Sequence, residues 1–155
     1  MNFTVPPSLQ DWIEVVPYGL VGGMAPGLSV LVFREKNGDN RFAIWLSKLQ
    51  SQIAIEQGLR KEETFSFLNA LLDAVNVQPK RCYFVKNKNG EQYVKVHFEG
   101  EKKFALTLKA DQSLSFCIYH NCRFFCTMKF IESMREVRAG KHTKKVKREP
   151  PIYLN

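Results

Sequence analysis

Two short apolar alternations constrain this chain most. Val94, Val96 and Phe98 alternate with polar residues, and so do Phe104, Leu106 and Leu108. Side chains on a strand point to opposite faces in turn, so each run is a strand with one buried face. Gly100 separates them, and Asn89-Gly90 sits before the first, so "RCYFVKNKNGEQYVKVHFEGEKKFALTL" reads as a three-stranded antiparallel meander.

The same grammar occurs earlier. Leu28–Phe33 and Phe42–Leu46 are apolar and rich in β-formers, and the turn cluster "KNGDN" joins them into an antiparallel pair. The stretch "RFAIWLSKLQSQ" then returns about sixty residues later as "KFALTLKADQSL". Arg41/Lys103, Phe42/Phe104, Ala43/Ala105, Ile44/Leu106 and Leu46/Leu108 align without a gap. Both copies read as strand, tight turn, helix, and both carry Gln-Ser near the helix start: Gln50-Ser51 and Gln112-Ser113. This pattern predicts an internal duplication.

Four helices and one further strand are predicted. Ser47 and Gln50 form a capping box for a helix that closes at Gly58. In "KEETFSFLNALLDAVN", Phe65, Leu68, Leu72 and Val75 recur at helical spacing and predict a core face. A helix from Asp111 to His120 has Leu114, Cys117 and Ile118 on its core face, with Asp111 as its N-cap. "RFFCTM" reads as a short strand and "KFIESMREV" as a short closing helix. The predicted fold class is α+β: a mixed, mainly antiparallel sheet with helices packed on it. Residues 1–27 form an N-terminal arm and first strand, 28–137 the main domain, and 138–155 a basic tail.

Composition limits the function classes. At 155 residues the chain can bury a core without staples. No apolar run approaches the ~20 residues that span a bilayer, and the N-terminus has no basic head leading into an apolar stretch. A cytoplasmic protein without membrane insertion is expected. Cys82, Cys117, Cys122 and Cys126 are expected to be buried free thiols. The alternative, a metal site from Cys117, His120, Cys122 and Cys126, lacks the paired-ligand spacing of structural zinc. His97 and His142 have no partner spacing.

The formal charge is +8, and "RAGKHTKKVKRE" holds six Lys/Arg against one Glu. Lys141, Lys144, Lys145, Lys147 and Arg148 could neutralise phosphates without reading sequence. The ending "EPPIYLN" could instead add as an extended strand to a protein partner. A solvated tail that binds nothing is the plain alternative.

The order of three local patterns, over roughly Leu28 to Met134, resembles the bifunctional nuclease domain family, whose members are associated with cleaving DNA and RNA. "AIWLSKLQSQIAI" is similar to the family's Ile-Trp-Ile-Gly run leading into a Glu-Ala helix start. "ETFSFLNALLDAVN" resembles its Thr-His-Asp-Leu-Leu helix, and "KFALTLKADQSLSFCI" its strand followed by an Arg-Pro-Ser-Asp-Ala helix start. The two duplicated helix starts are expected to face one shared cleft lined by Lys48, Gln50, Ser51, Lys109, Gln112 and Ser113, and the resemblance implies a tendency to form homo-oligomers.

The polar residues depart from the family pattern. Gln50 stands where the family has Glu, Phe65-Ser66 where it has His-Asp, and Lys109 and Gln112 where it has Arg and Asp. A neutral amide is neither a general base near pH 7 nor a good ligand for a hard cation. A binding or structural module with no hydrolytic activity and no cofactor is therefore expected, its partner a protein or a nucleic acid. The alternative is an active DNase/RNase with Mg or Mn, in which Asp111 is the carboxylate nearest a predicted helix start.

Overall fold

In a computed structural model the chain is described over residues 11–22, 29–47 and 65–142. The strands are β1 (Trp12–Gly22), β2 (Ser29–Glu35), β3 (Arg41–Leu46), β4 (Val77–Lys88), β5 (Glu91–Gly100), β6 (Phe104–Lys109) and β7 (Arg123–Thr127). The helices are α1 (Ser66–Val75), α2 (Ala110–Tyr119) and α3 (Met128–His142). The seven strands form one sheet in the order β3-β2-β1-β7-β4-β5-β6. Every pairing is antiparallel except β4 with β7. The fold is α+β, with the mixed, mainly antiparallel sheet anticipated.

The sheet is two antiparallel meanders, β1-β2-β3 and β4-β5-β6, with β7 inserted between their first strands. The repeat seen in the sequence thus aligns edge strand with edge strand: Arg41–Leu46 is β3 and Phe104–Lys109 is β6. The first strand, grouped with the N-terminal arm in the sequence reading, lies inside the sheet. It pairs with β2 on one side and β7 on the other.

Turn chemistry fixes the register. Asn89 and Gly90 both have positive φ (54° and 80°) and join Lys88 directly to Glu91, as a two-residue hairpin of right-twisted strands requires. Asn37-Gly38 sits in a longer loop, closed by the Glu35 N–H donating to the Asn40 carbonyl at 2.8 Å. Asn76 ends α1 in the left-handed conformation, and its carbonyl accepts from the Glu101 N–H at 3.0 Å, tying α1 to the β5–β6 turn.

One sheet face is the core. Phe33, Phe42, Phe84, Phe124 and Phe130 pack ring against ring, with centroids of adjacent pairs as close as 5.0 Å, and Ile44, Val94, Val96, Leu114 and Ile131 fill around them. From α2, Leu114 and Cys117 are buried and Ile118 packs at the margin, as its spacing predicts. All four cysteines are buried and free.

Two expectations need correction. The predicted core face of the α1 segment is largely open: α1 buries no residue, Leu68 and Val75 are exposed, and only Leu72 packs against the core margin. Phe65, just before α1, finds its contacts on Phe116 and Tyr119 instead. Helical spacing identifies an apolar stripe but not what covers it. The closing helix also runs beyond Val137 to His142, so the start of the basic segment, including Lys141, is helical.

Candidate nucleic-acid interface

The predicted site residues fall in three places. Lys48, Gln50, Ser51, Lys144, Lys145, Lys147 and Arg148 lie outside the described residues, as does the first predicted helix. Lys141 is on the last turn of α3. Lys109, Asp111, Gln112 and Ser113 surround the start of α2, where the geometry can be followed.

There the N-cap is Lys109 rather than Asp111, and no side chain caps the helix. Asp111 lies in the first turn, where the helix dipole favours an acid. Gln112 is exposed, while Ser113 is buried and donates to the Lys109 carbonyl at 2.9 Å. The Gln-Ser pair therefore splits, one side chain facing solvent and the other serving the backbone. The Lys109 ammonium pairs with Glu91 at 3.1 Å, and Glu91 also accepts from the Tyr93 hydroxyl at 3.0 Å. These contacts hold the Glu91 carboxyl below and the Lys109 ammonium above their ordinary pKa values. Among the described residues no three His, Cys, Asp or Glu side chains are grouped to hold a metal ion.

The thiols are chemically quiet. Cys117 shares hydrogen bonds with Cys82 and Cys122; the bond with Cys117, together with burial, raises the Cys122 thiol, and burial raises the Cys126 thiol to about 12. His120 meets the Asn69 amide oxygen at 2.8 Å and edges against Phe116.

The other face of the sheet holds a constellation the sequence reading did not assemble. On each strand, the residues between core positions point away from the core. Across β1, β7, β4 and β5 this brings together Trp12, Phe125, Tyr83 and His97. The Tyr83 ring stacks on Phe125 at 5.1 Å, meets Trp12 edge-on at 4.8 Å and lies 4.8 Å from His97. Partial burial, with Arg81 and Lys95 nearby, lowers the His97 pKa and favours the uncharged ring. The Trp12 indole N–H is shielded from solvent yet has no hydrogen-bond partner among the described residues.

Cations run among these rings. Arg81, Lys95 and Arg123 alternate with Tyr83, His97 and Phe125 along their strands; across strands Arg81 lies opposite His97 and Arg123, and Tyr83 opposite Lys95 and Phe125. Glu99 pairs with Arg81 at 2.8 Å, and Glu14 takes a two-pronged bond from Arg123 at 3.0 Å per arm. Further along, Tyr18 carries the Arg34 and Arg41 guanidiniums at 5.0 and 4.8 Å from its ring centroid. Trp45, on the same face of β3 as Arg41, is 61% exposed, the second most exposed large apolar side chain described after Phe67.

This face combines exposed ring surface with a surplus of positive charge, and the core packing of α1, α2 and α3 lies on the opposite face. Chemically it offers π-faces to planar bases and guanidinium or ammonium donors to phosphates. The signal was in the sequence as the other half of each alternation. Reading it requires knowing which strands are neighbours, and β7 joins β1 to β4 only through pairings distant in the chain. Comparison of the sequence with protein-family models and with curated proteins gives no match.

Proposed function

We propose that this chain is a non-catalytic nucleic-acid-binding module that takes single strands on the open face of its sheet. The observation that carries the reading is the interleaving of Trp12, Tyr83, Phe125 and His97 with Arg81, Lys95 and Arg123 on that face. Single-stranded nucleic acid is held by aromatic stacking and backbone charge together, and an exposed sheet is a common platform for it. Duplex would present its phosphates but hide its base faces. The basic segment with Lys141, Lys144, Lys145, Lys147 and Arg148 adds phosphate attraction without specificity. Absence of cutting follows from chemistry: amides at Gln50 and Gln112 and Phe65-Ser66 replace the groups that the resembled nucleases use.

Fluorescence anisotropy with an unstructured single-stranded oligonucleotide tests this. Affinity is expected to fall steeply with salt, to weaken about tenfold in Trp45→Ala, and to weaken further when the chain after Val137 is deleted. With Mg²⁺ or Mn²⁺ added the oligonucleotide is expected to stay intact. Binding that survives Trp45→Ala and Arg81→Glu unchanged places the ligand elsewhere. Metal-dependent cutting that stops in Asp111→Ala establishes the nuclease instead.

A further inference from the structure

Arg34 and Arg41 are direct cross-strand partners at the β2–β3 hairpin end. Like charges in that position repel, and a protein ordinarily avoids them or places a carboxylate between. Here, among the described residues, neither guanidinium has a carboxylate partner. Both are gathered instead over one ring, Tyr18, which is itself 48% exposed. The Arg34 Nε is shielded from solvent and has no hydrogen-bond partner among the described residues. The Glu14 carboxylate, on the same face, is already occupied by Arg123 and Lys36.

From this geometry we infer that Arg34, Arg41 and Tyr18 form a clamp for a phosphate monoester, the terminal phosphate of a single-stranded nucleic acid. Two fixed guanidiniums present two charges and a set of forked donors, which match a dianion better than a phosphodiester carrying one charge. A phosphate monoester is dianionic above its second pKa of about 6. The oligonucleotide as its source is indicated by Trp45. It lies four residues along β3 from Arg41, on the same face, about 13 Å away at the rise of a strand. That is room for a nucleotide or two between the clamped phosphate and a base stacked on the indole. The inference rests on the open-face reading but makes a separate demand, that the end of the strand be recognised.

The test compares one oligonucleotide sequence in three forms: phosphorylated at the 5′ end, phosphorylated at the 3′ end, and hydroxyl at both. The wild-type chain is expected to bind one phosphorylated form about tenfold more tightly than the hydroxyl form. The Arg34→Gln/Arg41→Gln double variant is expected to bring that ratio close to one, and Arg41→Lys, which keeps the charge but loses the fork, to give an intermediate ratio. A thermal melt of each variant shows that it is folded. Inorganic phosphate and a nucleoside 5′-monophosphate, titrated alone by calorimetry, separate the clamp from the rest of the face. Weak binding by wild type that the double variant loses supports the clamp even where no oligonucleotide binds. Equal affinity for all three oligonucleotides with no phosphate binding overturns it while leaving the open-face reading intact, and so does a preference that persists in the double variant.

Discussion

Glu14 and Arg123, 109 residues apart in sequence, form a two-pronged ion pair that fastens β1 to β7 at the seam between the two meanders, with both contacts at 3.0 Å. Arg123, helped by Lys36, holds the Glu14 carboxyl below the usual carboxylate range. A depressed folded-state pKa contributes stability above the unfolded value of about 4.3 and loses it as pH falls through the lower folded value. Glu14→Gln is therefore expected to lower Tm at pH 7, by at most about 3 °C because solvent screens the pair. Near pH 2 the variant and wild type should melt together. A difference that persists unchanged to pH 2 means the ion pair is not its source.

Phe33 and Trp45 test the two faces against each other. Phe33 is fully buried among Phe42, Phe84 and Phe124, and Phe33→Ala should cost about 3–5 kcal/mol in denaturant unfolding. Trp45 is a larger residue that is mostly in solvent, and Trp45→Ala should change stability by no more than about 0.5 kcal/mol. A large loss in Trp45→Ala would mean that the indole is structural.

Gly100 has φ of +151°, and a Cβ there would run into the Asn76 carbonyl and the Val77 backbone. Neither neighbour is a flexible side chain, since Asn76 is held in its left-handed cap and bonded to Glu101. Gly100→Ala is expected to destabilise by more than about 1 kcal/mol, read as a lower denaturant midpoint with an unchanged slope. Gly22, with nothing near its absent side chain, is the control and should tolerate Ala far better.

The elements that were legible in the sequence were the local ones. The alternation at Val94–Phe98, the Asn89-Gly90 turn and the Leu114/Cys117/Ile118 face of α2 each depend on residues a few positions apart, and each is present. What could not be read was pairing across the chain. Nothing near Trp12 announces that β1 lies beside β7, and nothing in the α1 periodicity says that Phe67, Leu71 and Val75 would stay exposed. The candidate face suffers from the same blindness, since Trp12, Tyr83 and Phe125 come from three strands that meet only in the folded sheet. The Arg34–Arg41 pair is no exception: counting equally outward from "KNGDN" sets Glu35 opposite Arg41, one residue off the pairing of Arg34 with Arg41.

The four thiols should be inert in the folded chain. Cys82, Cys117 and Cys126 have no exposed surface, and the Cys126 thiol is pushed up to about 12 by burial, so it is not a thiolate at neutral pH. An aromatic disulfide reagent at pH 8 is expected to titrate the thiols only after denaturant is added. Rapid reaction of the native protein at two or more cysteines would contradict the packing of α2 and β7 against the sheet.

The most direct test of the central claim is photo-crosslinking of a single-stranded oligonucleotide to the full chain, followed by mass spectrometric mapping of the attached residues. The account predicts attachment on the sheet face opposite α1, α2 and α3, at Trp45, Tyr18, Tyr83, Phe125 or Trp12. Crosslinks confined to residues 143–155, or to the exposed stripe of α1, would contradict it.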